Sequence, residues 1–329
     1  MKVAVIGAGG VGSYYGGLLA RAGHDVWFHM RRDLAAVRTS GLHIRSHAGD
    51  FDLAHVNAVG DPAEIGPADL VICALKTPAL PDAHSLVAPC FGPDTRLLVL
   101  MNGFGIEEQF AAWFPPERIY GGMAFVCINR GEPGTVHHLD YGTLTVGSLV
   151  RASVSLRSLC QLLADAGMDI VEAPDLRYAR WEKLCWNVPF SGLGVACGGV
   201  GTATVLGLPY LREVARAAIH DLARAANVDL EVTGSDLRIE AAAMVESMFS
   251  RTDAMDEYRA SMVIDFVTGA PIENEAILGV PVARARELGV AVPTVDAIDA
   301  MVRIALARRD GALKPYTAED VVPGLRAGS

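Results

Sequence analysis

Up to about residue 171, short β-branched apolar runs alternate with helical stretches, a pattern that predicts a parallel sheet with crossover helices. The expected strands are Val3–Ile6, Asp25–Phe28, Leu70–Leu75, Arg96–Met101 and Gly122–Cys127. Several are apolar throughout, as befits strands covered on both faces. Leu42–Arg45 with Leu53–Val56, and Thr135–His138 with Thr143–Val146, read as added antiparallel hairpins. A helix over Ser153–Ala166 and a strand over Asp169–Val171 finish this part. From about Pro174 strand signals nearly vanish. Alanine-rich amphipathic stretches take over at Tyr210–Ala226, Ser235–Ser250, Ile272–Leu288 and Thr294–Arg308, punctuated by glycines and prolines. The pattern divides the chain into an α/β domain over residues 1–172 and an all-helical domain over 173–329.

Gly7-Ala8-Gly9-Gly10-Val11-Gly12 fits G-x-G-x-x-G, follows an apolar strand and opens a helix expected to reach about Ala22. That context makes it a dinucleotide-binding turn in a Rossmann domain, with Gly7, Gly9, Gly10 and Gly12 letting backbone N–H groups approach a pyrophosphate. The second strand should then name the cofactor. An NAD enzyme places an acid at its end for the ribose 2′-hydroxyl, whereas this chain reads His29-Met30-Arg31-Arg32 and only then Asp33. Arg31 suits a 2′-phosphate, so NADPH is the expected cofactor; the alternative is that Arg31 is a solvated loop residue and Asp33 merely caps the next helix. Lys76 and Asn102 follow two further strands, at carboxyl ends that face the same crevice. Both are candidates for cofactor contact, and Asn102 also for substrate.

With 329 residues, two domains are expected, and hydrophobic residues at 51% supply ample core. A net charge of -10 argues against nucleic acid and against an anionic membrane as partners. The six cysteines have no CxxC spacing and read as reduced, buried thiols of a cytoplasmic protein. Leu184–Leu211 carries no charge and is long enough to span a bilayer, but Pro189, Pro209 and six glycines interrupt it. A buried helix followed by a glycine-rich turn is the better reading.

Lys183 and Asn187 stand four apart in that region and Ser191 follows four later, so one helix would align them, with Pro189 expected to kink it. Together with Lys183-Leu184-x-x-Asn187, the chain carries Ser261-Met262-x-x-Asp265 and Gly269-x-Pro271-x-Glu273, after Gly7–Gly12, Lys76 and Asn102-Gly103. In the order and spacing of these pieces it resembles the 2-dehydropantoate 2-reductases, or ketopantoate reductases, over nearly its whole length. The resemblance implies a second domain like the carboxy-terminal domain of 6-phosphogluconate dehydrogenase. It also implies that Lys183 is the general acid, with Asn187, Ser261, Glu273 and Asn102 around the substrate. Two departures fall in the substrate-facing part. Ser191 stands where the family usually has a second asparagine, and Ile272-Glu273-Asn274-Glu275 where it usually has Thr-Glu-Ile-Asp.

The chemistry is coherent on its own terms. Hydride addition to a ketone puts negative charge on oxygen, which a lysine ammonium can stabilise and then protonate. Glu273 could hold Lys183 charged or accept a hydrogen bond from a substrate hydroxyl. The expected activity is NADPH-dependent reduction of a 2-oxo acid, ketopantoate first. Reduction of another 2-oxo or 3-oxo acid, and a non-catalytic NADPH sensor, are the alternatives. No metal-ligand spacing and no G-x-S-x-G is present, so neither a metal nor acyl transfer is expected. The long apolar helices of the second domain are compatible with a homodimer.

Overall fold

A computed structural model of the chain describes residues 1–151, 153–255, 258–316 and 320. The end of the expected second domain, 317–319 and 321–329, lies outside the described residues. Contacts group the chain into two compact units, Met1–Lys183 with Leu230–Arg238, and Leu184–Asp229 with Ile239–Ser329.

The first unit is built on one mixed ten-stranded sheet. Its strands are β1 (Lys2–Ile6), β2 (Asp25–His29), β3 (Leu42–Ser46), β4 (Phe51–Leu53) and β5 (Asn57–Val59), then β6 (Ala68–Cys73), β7 (Phe91–Val99), β8 (Ile119–Arg130), β9 (Thr135–Ser148) and β10 (Ile170–Glu172). They lie in the order β4-β3-β9-β8-β7-β6-β1-β2-β5, with β10 also pairing with β9. The run from β5 to β8 is parallel throughout, as the apolar strands predicted. Val3, Val5, Leu70, Ile72 and Leu98 are buried because helices cover the sheet. Helix α1 (Gly10–Arg21) packs on the strands through Tyr15, Leu18 and Leu19. It is followed by α2 (Leu34–Ser40), α3 (Leu80–Val87), α4 (Ile106–Phe110) and α5 (Val154–Asp165).

Two sequence expectations need correction here. The hairpin at Leu42 exists, but its second strand is Phe51–Leu53, not Leu53–Val56. The hairpin expected from Thr135–His138 and Thr143–Val146 does not form. Both segments belong to one 14-residue strand, β9, which runs antiparallel to β8 and parallel to β3. The Asp140-Tyr141-Gly142 turn signal is instead an irregularity in that ladder, with Tyr141 at φ 60 and Gly142 at φ 142. Long-range pairing with β8 outweighs the local preference for a turn.

Helix α6 (Leu176–Trp186) leads into a π-helical segment, Asn187–Gly192, and a short α7 (Leu193–Ala196). Pro189 falls inside this π-helical segment: lacking an N–H, it is more easily housed where the i→i−4 ladder is already interrupted. The helices that follow are α8 (Thr202–Gly207), α9 (Pro209–Val232), α10 (Ala241–Asp253), α11 (Ser261–Val267), α12 (Val280–Glu287) and α13 (Pro293–Arg309), with a second π-helical segment at Glu275–Gly279. The helix expected from Ser235 starts only at Ala241. Asn227 explains the delay, since its Oδ1 accepts from the N–H of Ile239 at 2.7 Å and its Nδ2 donates to the carbonyl of Ile239 at 3.0 Å. Among the described residues no helix is long and apolar enough to cross a membrane. Five of the six cysteines are buried, and Cys197 is exposed, against expectation.

Candidate active site

The glycine turn follows β1 in the middle of the parallel strands. Gly7 has φ +90, and a side chain there would meet the carbonyl of Ala74 at 2.9 Å. The N–H of Gly9 donates to the carbonyl of Gly7 at 2.7 Å, and the N–H of Ala8 to that of His29 at 3.1 Å, which draws the turn tight against β2. A Cβ on Gly12 would lie 2.5 Å from the carbonyl oxygen of Gly7, and one on Gly10 would lie 2.6 Å from Cγ2 of Ile128. Gly9 differs: nothing described lies within 4 Å of where its Cβ would be. Packing therefore requires three of the glycines, while Gly9 faces open space at the amino end of α1. That is where a pyrophosphate would approach, so the turn fits a dinucleotide.

Three polar residues sit past the carboxyl ends of neighbouring strands. Arg31 is exposed two residues beyond β2. Lys76 is exposed after β6, ahead of a single 3₁₀ turn over Thr77–Ala79, with the α-helix starting only at Leu80. Asn102 is half-buried after β7, and Gly103 at φ 108 turns the chain away behind it. Asp33 does not play the capping role of the alternative reading. It occupies the cap position of α2, but its side chain does not cap the helix and pairs instead with Arg130 of β8.

Lys183 lies on α6, which starts under control of Asp175: the N–H of Tyr178 donates to the Asp175 carboxylate at 3.0 Å. Nζ of Lys183 donates to the carbonyl of Ala124 at 2.9 Å and sits 4.7 Å above the ring of Phe125. Burial pulls its pKa down to about 8. The Arg180 guanidinium acts in the same direction, and Cys127 and Glu182 oppose it. Tyr141, at 5.0 Å and edge-on to Phe125, backs that ring. It is the one non-glycine residue at positive φ among the described residues, and such strain gathers around functional groups.

One turn before Lys183, Arg180 is buried. Its guanidinium pairs with the buried Glu107 carboxylate and donates to the carbonyl of Met101 at 2.7 Å, beside Asn102. Gly121 makes room for this pair, since a Cβ there would meet Glu107 Oε1 at 2.3 Å. Sequence reasoning passed over Arg180, Glu107 and Phe125. The only hint was an arginine on the lysine's own helix, at the spacing of one turn.

The remaining expected residues belong to the second unit. Asn187 and Ser191 are both buried in the π-helical segment, which packs against α11 and against the segment that follows Glu273. Ser261 is exposed at the start of α11, and Glu273 is buried, its carbonyl accepting from the N–H of Ile277 at 3.0 Å. Among the described residues no three His, Cys, Asp or Glu side chains cluster as metal ligands.

Comparison with known proteins accounts for most of the chain. Residues 3–151 match the family described as ketopantoate reductase PanE/ApbA, and residues 175–305 match its C-terminal part. A 2-dehydropantoate 2-reductase of a Nostoc species is 34% identical over 304 residues, covering 90% of this chain and 92% of the relative. One from Halobacterium salinarum is 29% identical, covering 94% and 100%. Among solved structures, the 2-dehydropantoate 2-reductase of Geobacter metallireducens superposes with a TM-score of 0.88 at 40% identity, covering 93% of this chain and all of that one. A D-mandelate dehydrogenase shares the fold at a TM-score of 0.85 and 21% identity. With both parts of the family matched in order, the chain belongs to the ketopantoate reductase family of oxidoreductases.

Proposed function

We propose that the protein reduces a 2-oxo acid with NADPH, ketopantoate to pantoate in the first instance, and that Lys183 is the general acid. The observation that carries the reading is the setting of Lys183: a half-buried ammonium held by the Ala124 carbonyl over the Phe125 ring, with its pKa brought down to about 8. An acid so tuned stays mostly protonated at neutral pH yet gives up its proton readily.

In this reading residues 1–172 form the cofactor domain and 173–329 the domain that carries most of the substrate contacts. Gly7, Gly9, Gly10 and Gly12 would seat the pyrophosphate and Arg31 the 2′-phosphate, with Lys76 and Asn102 as further cofactor contacts. When bound, NADPH supplies the hydride. The protein's share of the reaction is to hold the ketone and manage its oxygen. Lys183 donates a hydrogen bond to the carbonyl oxygen, stabilises the charge that develops there and then transfers a proton from Nζ. Asn102, Asn187, Ser191 and Ser261 offer neutral hydrogen bonds to carboxylate and hydroxyl, and Glu273 completes the acid–base set.

A second reading keeps the reaction and changes the substrate. Ser191 is buried and shorter than the asparagine usual in the family, so the pocket would be roomier and lack one amide. Following NADPH and NADH oxidation by the purified protein over a panel of 2-oxo acids tests both. Turnover of ketopantoate with NADPH well above the other pairs is expected. No turnover of any 2-oxo acid would overturn the proposal.

A further inference from the structure

Asp33 lies two residues beyond Arg31, near the end of β2, where a dinucleotide fold of the NAD type keeps an acid for the ribose hydroxyls. A free carboxylate there would compete for Arg31 and repel a 2′-phosphate. We propose that Arg130 is a specificity-determining residue of the cofactor site: by pairing with Asp33 it takes that carboxylate out of play and leaves the end of β2 open to a phosphate. The inference rests on the NADPH reading above.

Three observations carry it. First, the Asp33 side chain is committed to Arg130, 97 residues away in the chain, and does not cap α2. Second, the pair is partly withdrawn from water, with the Asp33 side chain 14% and that of Arg130 36% exposed, so salt screens it less than a surface pair. Third, the end of β8 is braced on the glycine turn. A Cβ on Gly10 would meet Cγ2 of Ile128 at 2.6 Å and Cγ of Arg130 at 3.9 Å, so Arg130 is held beside the first turn of α1. With Arg31 and Arg32 next to Asp33, the local balance favours a dianion once Asp33 is neutralised.

The test is a set of dissociation constants for NADPH and NADH with wild type, Arg130→Ala, Asp33→Asn and the double variant. Arg130→Ala should weaken NADPH roughly three- to tenfold while NADH binds as well or better. Asp33→Asn should keep the wild-type preference or raise it, and the double variant should recover most of what Arg130→Ala loses. Equal weakening of both cofactors by Arg130→Ala, or a double variant as weak as Arg130→Ala, would overturn the inference. Should Arg130→Ala fail to fold, Asp33→Asn decides alone, because a drop in NADPH preference there refutes it. A wild-type preference for NADH would sink the cofactor reading, while the shift in the NADPH-to-NADH ratio caused by Arg130→Ala would still be read against wild type.

Discussion

Arg180 and Glu107, 73 residues apart in the chain, meet as a two-point ion pair with the arginine side chain 3% and the glutamate side chain 1% exposed. The same guanidinium holds the carbonyl of Met101, so one buried group fixes both the start of the Asn102 loop and the helix that carries Lys183. Removing one partner leaves a buried charge without its counter-ion. Glu107→Gln should therefore lower the unfolding free energy by about 3–5 kcal/mol, read from urea denaturation. Replacing both residues by methionine should cost much less. A single variant as stable as wild type would show that the pair is solvated in solution.

The proposed role of Lys183 predicts a pH dependence. If Lys183 is the proton donor, as proposed, the reduction needs the ammonium form, so kcat/KM should be level below neutrality and fall as pH rises through about 8. Stability moves the other way. The unfolded chain keeps the proton up to the ordinary value of 10.5 while the folded chain releases it near 8, so between these values the unfolded state binds more protons and stability rises with pH. Lys183→Met should abolish that rise. It should also lower kcat about 10²–10⁴-fold with NADPH affinity largely intact. An unchanged kcat would remove Lys183 from the chemistry.

The glycines of the first turn should separate by variant. Gly12→Ala drives a methyl onto the Gly7 carbonyl and should lower Tm. Gly9→Ala meets nothing within 4 Å, so its Tm should match wild type; if the pyrophosphate approaches there, as proposed, its cofactor affinity should drop at least tenfold. Full affinity in Gly9→Ala would place the pyrophosphate elsewhere.

Ser191 tests the substrate. One hydrogen bond to a polar ligand group is worth about 0.5–1.5 kcal/mol, so Ser191→Asn should raise kcat/KM for ketopantoate roughly three- to tenfold and lower it for a bulkier 2-oxo acid. If ketopantoate is already the best substrate and the variant does not improve it, the roomier pocket is wrong.

What the sequence disclosed and what it hid divide along physical lines. Gly7–Gly12 and the parallel strands were legible because turn chemistry and apolar periodicity are local. Lys183 and Asn187 were legible through their spacing on one helix, and Glu273 only through the family resemblance. The Arg130–Asp33 and Arg180–Glu107 pairs were not, since each joins distant segments whose neighbourhood exists only after the sheet forms. Strand β9 was misread as a hairpin for the same reason. Its Tyr141-Gly142 step looks like a turn locally, and the β8 ladder overrules it.

The sheet also bears on how the protein behaves in a crowded solution. At a mean hydropathy of +0.29 the chain is apolar enough to aggregate if it exposed a long open edge. The outermost strands of its hydrogen-bonded order, β4 and β5, are each three residues long, and so is the added β10. A second molecule arriving at any of these finds only a few backbone groups to pair with, too few to template a growing cross-β stack. The brevity of these margins is a safeguard against edge-to-edge aggregation that the nine-residue or longer strands β7, β8 and β9, which lie inside the sheet, could not provide at its edge.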